Sequence, residues 1–327
     1  ICADNCSCSE ISDCIFNDNR AGNGGAIHWY NSNEIQISDC NFTNNSAKDD
    51  GEGGAVAYSF CTNDTIANCI FINNTARDGG AIASQECLIS ECIFMNNIGQ
   101  RGGALSFWME YPAHISNCNF INNSANEGGA IYVSRWSVLI TIENASFINN
   151  TADSDGGAIY ANNIVVVTNS NFTANSADNG GAISSYSTLT VNECQFTSNH
   201  ADDEGGAVYC NDSNLTVGAC NFSNNTANGE YSVGGAIYFD GNDLLIADSK
   251  FISNEADDCG AVAAESVTSE IRNTEFVENG AYDYGAIEIS SGDVLIDNCT
   301  FDSNYANRSV AALALHSNAT VNNTIFK

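Results

Sequence analysis

One pattern recurs along this chain: Phe-x-x-Asn-x-Ala, a short variable gap, then Gly-Gly-Ala and an aliphatic residue. It reads Phe42-Thr43-Asn44-Asn45-Ser46-Ala47 and then Gly53-Gly54-Ala55-Val56, and returns as Phe120-Ile121-Asn122-Asn123-Ser124-Ala125 and Gly128-Gly129-Ala130-Ile131. The anchoring residues are Phe16, Phe42, Phe71, Phe94, Phe120, Phe147, Phe172, Phe196, Phe222, Phe251, Phe276, Phe301 and Phe326, at intervals of 23–29 residues. Self-similarity at a period of roughly 20–50 residues means a solenoid, a propeller or an array. It also means that most of these residues serve stacking, not catalysis.

The repeat resolves into columns. Five residues before each Phe stands an aliphatic strand former, from Ile11 and Ile37 to Ile296 and Val321. Two before it stands a small residue: Cys14, Cys40, Cys69, Cys92, Cys118, Cys194, Cys220 and Cys299, elsewhere Ala145, Ser170, Ser249, Thr274 or Thr324. Residues two apart in a strand share a face, so this small residue and the Phe point the same way, inward. The aliphatic column lies an odd step upstream, which predicts a bend at turn formers such as Ser38-Asp39 and Ser116-Asn117. Three residues after the Phe stands Asn19, Asn45, Asn74, Asn97, Asn123, Asn150, Asn175, Asn199, Asn225, Asn254, Asn279 or Asn304. Stacked at the strand spacing of about 4.8 Å, such amides can bond their neighbours above and below and satisfy the backbone of the turn. The Gly-Gly pair predicts a backbone conformation or close approach denied to residues with a Cβ.

Short strands, tight bends and coils of roughly 25 residues fit an all-β, single-stranded right-handed parallel β-helix of about 12–13 coils. No helix-period apolar pattern is long enough to compete, and a propeller blade needs about 40–45 residues. The expectation is one continuous domain over residues 1–327, with a Cys-rich cap or partial coil at 1–10 and less regular coils at 255–327. It would be a rod on the order of 60 Å long, and a fragment of a longer protein.

The net charge of -31, with nine basic residues, argues against nucleic acid and against anionic membrane surfaces. Acidic residues gather before Gly-Gly, as in Asp49-Asp50, Asp153 with Asp155, Asp202-Asp203-Glu204 and Asp257-Asp258, and read as a solvated edge. No cofactor is implied. Calcium on these loops is the alternative, although the spacing fits neither an EF-hand nor a nonapeptide roll. Fifteen cysteines lean towards an oxidising setting. The thiols before Phe read as small buried hydrophobes, whereas Cys61 and Cys87, each six residues after the Ala of its own Gly-Gly-Ala, make a candidate disulfide. Seventeen Asn-x-Ser/Thr triplets occur, with Asn44, Asn73, Asn122, Asn149 and Asn224 on the turn after Phe as glycosylation candidates. No signal peptide, transmembrane run or lipidation motif reads in this segment, and no direct membrane insertion is expected.

Segments such as Asn117-Cys118-Asn119-Phe120-Ile121-Asn122-Asn123-Ser124-Ala125 with Gly128-Gly129-Ala130-Ile131-Tyr132 resemble the repeats of chlamydial polymorphic outer membrane proteins. The fuller text is similar to the adhesin-like β-helix proteins of methanogenic archaea. The resemblance covers nearly the whole chain. It implies a surface-exposed or secreted region serving adhesion, and it carries no catalytic residues. Cys259-Gly260-Ala261, Tyr284-Gly285-Ala286 and Val310-Ala311-Ala312 depart from Gly-Gly-Ala.

The function expected is therefore a non-enzymatic, extracellular or cell-surface adhesin-like rod that contacts glycans or proteins of another cell. End-to-end self-association is a second expectation for open β-helix ends. Two residues after the repeat Ala stand Tyr132, Tyr160, Tyr209 and Tyr238, which form aromatic platforms if they face out and core if they face in. Trp29, Trp108 and Trp136 sit near this strand. The alternative is a polysaccharide-active β-helix enzyme, a lyase, hydrolase or esterase acting on acidic sugars, which needs paired carboxylates as acid and base, or a calcium-binding acidic cluster with an Arg or Lys base. Asp49-Asp50, Asp202-Asp203 and Asp257-Asp258 supply pairs, but no Arg or Lys joins them in an evident constellation, and the four His lack metal-ligand spacing.

Overall fold

A single coil shows why the repeat is written as it is. In the computed structural model, which describes residues 1–48, 50–108, 111–135 and 139–327, the strand Ala113–Ser116 carries Ile115 inward. Asn117 then takes φ 54°, and Cys118 and the strand Asn119–Ile121 follow with Phe120 inward. Asn122 takes φ 54° in turn, Asn123 points in, and the strand Ser124–Glu127 leads to Gly128 at φ 63°. Gly129 and Ala130 then open the strand Ile131–Val133. The predicted bend is thus a left-handed residue before the small column, and a second one sits two residues after each Phe, with φ between 46° and 55° across both columns. Non-Gly residues resist this conformation by about 1–2 kcal/mol, and Asn and Asp resist it least. That explains the turn formers at both bends.

The chain forms a parallel β-solenoid with only strands among its described residues. It falls into two compact units, Ile1–Val166 and Val167–Lys327. Six Phe strands lie in the first unit and seven in the second. In the first, each Phe is in register with the next coil's, Phe16 with Phe42 and so on to Phe120 with Phe147. Their rings stack 4.7–5.0 Å apart. The second repeats this from Phe172 to Phe326 at 4.6–5.0 Å. Most of these rings are fully buried, and burial of each is worth about 1.5–3 kcal/mol. The aliphatic column and the residues after Gly-Gly-Ala stack in the same way, as in Ile89 with Ile115 and Leu105 with Ile131.

Two ladders of polar side chains run beside the rings. An inner Asn within the stack uses all its hydrogen-bonding capacity. Asn97 Nδ2 donates to Asn123 Oδ1 and to Phe71 O, both at 3.0 Å. Its Oδ1 accepts from the backbone N–H and the Nδ2 of Asn74 at 2.9 and 3.0 Å. The same links join Asn175 to Asn304 in the second unit. The small column does more than fill space. Cys40 Sγ donates to Ser38 O at 3.0 Å and Cys118 Sγ to Ser116 O at 3.2 Å, and Ser249 Oγ and Thr274 Oγ1 make the same bond at 2.7 and 2.8 Å. Cys40, Ser249 and Thr274 also accept from a backbone N–H one coil away, as Cys69 Sγ does from Cys40 at 3.4 Å. These thiols are hydrogen-bond donors at the bend, not merely small hydrophobes, which is why Ser and Thr replace them.

The Gly-Gly pair has two separate causes. The first glycine takes positive φ, from 53° at Gly24 to 71° at Gly234. The second lies against the next coil: a Cβ on Gly54 would stand 2.0 Å from Gly80 O. Cys259, Tyr284 and Val310 occupy the first position without positive φ, while Gly260 and Gly285 keep the second, where a Cβ would meet a carbonyl at 2.2 and 2.3 Å. In the coils of Cys259 and Tyr284 the departure is therefore confined to the position that conformation, not space, dictates, and in the last coil Ala311 replaces the second glycine as well.

The remaining cysteines are also free thiols. Cys2 pairs in register with His28, so the first residues belong to the ladder of coils. The register sets Asp64, not Cys61, opposite Cys87; both thiols are free and buried, and burial pushes Cys61 up to about 11. Asp64 is fully buried. Its Oδ1 accepts from Ile35 N–H at 3.0 Å, while Oδ2 has no hydrogen-bond partner among the described residues. Burial pushes its carboxyl up to about 7, and Glu86 adds to the rise. A raised acid favours the protonated fold, so the stability it contributes is present in acid and is lost as pH climbs from about 4 through about 7. Asp64→Asn is expected to raise the melting temperature near pH 8 and leave it unchanged near pH 4, read by thermal melts across pH; a variant less stable at both would contradict this.

Candidate functional site

The residue immediately before Gly-Gly forms a column on the outer surface. In the first unit it runs Glu52, Asp78, Arg101, Glu127 and Asp155, each bridged to the next coil's member. Four carboxylates one coil apart repel one another, and Arg101 is the one cation among them. It holds Asp78 with both nitrogens, Nε to Oδ1 at 2.5 Å and Nη2 to Oδ2 at 2.6 Å, a bidentate form that suits guanidinium and carboxylate. Its guanidinium also lies 5.6 Å from the centroid of the Tyr132 ring, within reach of a cation–π attraction. Burial, with the charge of Asp78, raises the Glu52 carboxyl; burial, with Asp155, raises Glu127.

Beside this column opens a cleft of about 460 Å³, lined by Glu52, Asp78, Arg101, Ser106, Trp108, Tyr132, Ser134, Arg135 and Asn162. Trp108 is half-buried, and its Nε1 has no hydrogen-bond partner among the described residues. Ser106 is only 2% exposed. The cleft thus brings together an indole whose buried N–H is unmet, hydroxyls, an amide and a carboxylate. That is the apolar wall with a few convergent polar groups that small-ligand sites use.

The tyrosine column stands differently from an open platform. Tyr132 and Tyr160 alternate with the fully buried Ile131, Val133 and Ile159, so they project on the outer face, yet each is only 8% exposed. They stack on each other at 5.2 Å, and Asn162 Nδ2 donates to Tyr160 Oη at 2.9 Å. Burial pushes the Tyr160 hydroxyl up to about 12. In the second unit Tyr209 and Tyr238 stack at 5.5 Å, Tyr209 buried and Tyr238 half-buried. The tyrosines offer edges to a ligand, and Trp108 is the more open ring. Trp29 is core, and Trp136 and Asp49 lie outside the described residues.

The second unit repeats the Asp–Arg–Tyr device. Arg308 Nη2 donates to Asp283 Oδ2 at 2.5 Å and its guanidinium lies 5.5 Å from the Tyr282 centroid. A cleft of about 490 Å³ there includes Glu230, Asp257, Asp258 and Glu288 in its lining. Burial, with Asp283, raises Asp258. Among the described residues no group of three or more His, Cys, Asp or Glu side chains is placed to hold a metal ion. The sequence reading missed Arg101 and Asp78 as partners. Their shared position before Gly-Gly was the available signal, since residues in one column meet across coils.

Asn44, Asn73, Asn122, Asn149 and Asn224 are all exposed, and each is the left-handed residue of its turn. Asn73 Nδ2 donates to Asn44 Oδ1 at 3.2 Å, so a glycan on either would displace this contact.

Residues 1–147 match the family described as right handed beta helix region. The Chlamydia polymorphic membrane protein repeat matches at 144–162, 193–211 and 219–240. Each of those segments spans one passage from Phe-x-x-Asn to Gly-Gly-Ala. Among solved structures, the chain is similar to the Azotobacter vinelandii mannuronan C-5 epimerase AlgE6 A-module, at 10% identity and a TM-score of 0.48, over 96% of this chain and 80% of that one. No curated protein matches the sequence.

Proposed function

We propose that this chain is a binding module of a secreted or cell-surface protein of the adhesin-like kind, related to the methanogen proteins it resembles, and that it is not an enzyme. Its ligand is a surface glycan held in the Trp108 cleft. The observation that carries this reading is the half-buried indole with an unmet N–H, set beside hydroxyl and carboxylate groups in one cleft. A pyranose offers C–H faces to an aromatic ring and hydroxyls to such donors and acceptors. The polymorphic membrane protein repeats support a surface setting.

A glycoside hydrolase of the usual kind would need two carboxylates free to act. Glu52 and Asp78 share the cleft, but Asp78 is tied bidentately to Arg101. A glycan array probed with the wild-type chain and with Trp108→Ala tests the reading. Binding to at least one glycan class, lowered at least about tenfold in the variant, is the expected result; equal binding by both would rule out the cleft.

A further inference from the structure

We infer that the Trp108 cleft selects by charge, and that its preferred ligand is a pyranose carrying an ammonium group, of glucosamine type, over one carrying a carboxylate. This rests on the reading of the cleft as a saccharide site. Arg101 would be the natural partner for a sugar carboxylate, but its charge is already met by Asp78, whose two oxygens take Nε and Nη2 at 2.5 and 2.6 Å. Behind it the column continues with Glu127 and Asp155, so a second anion would enter against carboxylates on either side of one committed cation. Like charges at this spacing disfavour such a ligand. Arg135 lines the cleft too, but it is solvent-exposed, where screening weakens its pull.

Glu52 is the complementary half. It lines the cleft, is half-buried, and makes no ion pair or side-chain hydrogen bond among the described residues. Its carboxyl is held up by burial and by Asp78, against the opposing pull of Arg101 and Arg77, with which it makes no ion pair. An ammonium beside it would supply a paired cation. Trp108 lines the same cleft and adds an aromatic face, which attracts cations. Ser106, 2% exposed and without a side-chain hydrogen bond among the described residues, lines the cleft as a further polar contact for ring hydroxyls.

Isothermal titration with three tetrasaccharides tests this: β-1,4-glucosamine, its fully N-acetylated form, and α-1,4-galacturonate, near pH 6 where the amine is protonated. The glucosamine tetramer is expected to bind at least about tenfold more tightly than the N-acetylated one, with the galacturonate weakest. Glu52→Gln is expected to erase that tenfold preference, and its circular dichroism should match the wild type. Equal affinity for the amine and the N-acetyl form, a preference that survives in Glu52→Gln, or tightest binding of galacturonate would each overturn the charge assignment while leaving the cleft a saccharide site. If none of the three binds, both readings fall.

Discussion

Asn123→Ala is expected to destabilise the first unit by about 3–5 kcal/mol, measured by chemical denaturation. The Asn123 side chain is fully buried and makes four hydrogen bonds. Alanine would leave the backbone N–H and Nδ2 of Asn97, the carbonyl of Phe94 and the Oδ1 of Asn150 each short of a partner, and a buried group stranded in this way costs about 1–3 kcal/mol. The adjacent Asn122→Ala provides the contrast. Asn122 is exposed and serves the turn by its left-handed φ of 54°. Alanine there loses only the local preference, about 1 kcal/mol, and Ala174 already fills the equivalent position at φ 55°. In a stack of coils each unit leans on its nearest neighbours, so hydrogen exchange in Asn123→Ala should rise most in the coils of Asn97 and Asn150. Equal losses for the two variants would show that the inner amide column does not hold the coils together.

Gly129→Ala is expected to be more damaging still, on the order of 4–5 kcal/mol or a failure to yield soluble folded protein. A Cβ there would stand 2.1 Å from Gly157 O and 2.5 Å from Thr151 O. Both are backbone atoms of the next coil, which cannot rotate away as a side chain can. Relief would require adjacent coils to part, and that would lengthen the parallel ladder on both sides. The chain carries its own control in Ala311, an exposed residue at the equivalent position; Ala311→Gly is expected to change stability by less than about 1 kcal/mol. A mild phenotype for Gly129→Ala would mean that the second glycine of the pair is there for conformation and not for close approach.

What was legible in the sequence was whatever repeats as a residue identity. Phe, the inner Asn, the aliphatic residue and the second Gly each meet the same side chain or carbonyl one coil away, so selection writes them identically and they can be read as columns. The two left-handed positions were less legible. Asn117, Glu193, Ala219 and Asp248 all serve at one bend, because a backbone angle can be supplied by several residue types. The thiol column was read as small and apolar, since the bond from Cys118 Sγ to Ser116 O depends on where the bend places that carbonyl. The cleft was the least legible part. Trp108 and Arg135 lie in the stretch after Gly-Gly-Ala, which varies in length, and Arg101 gains its partner only through the register that sets Asp78 beside it. The tyrosines were placed on the right strand, but how far Arg101 and neighbouring coils cover them is a property of packing.

The sharpest division between a binding module and a polysaccharide-active enzyme lies in the fate of a bound ligand. Oligosaccharides retained by the wild-type chain, and lost by Trp108→Ala, can be incubated with it for many hours, eluted and examined by mass spectrometry and proton NMR. A module whose Asp78 is committed to Arg101 should return every one at its original mass and stereochemistry. Shortened, unsaturated, de-esterified or epimerised products that disappear in Trp108→Ala would contradict the assignment and make the cleft an active site.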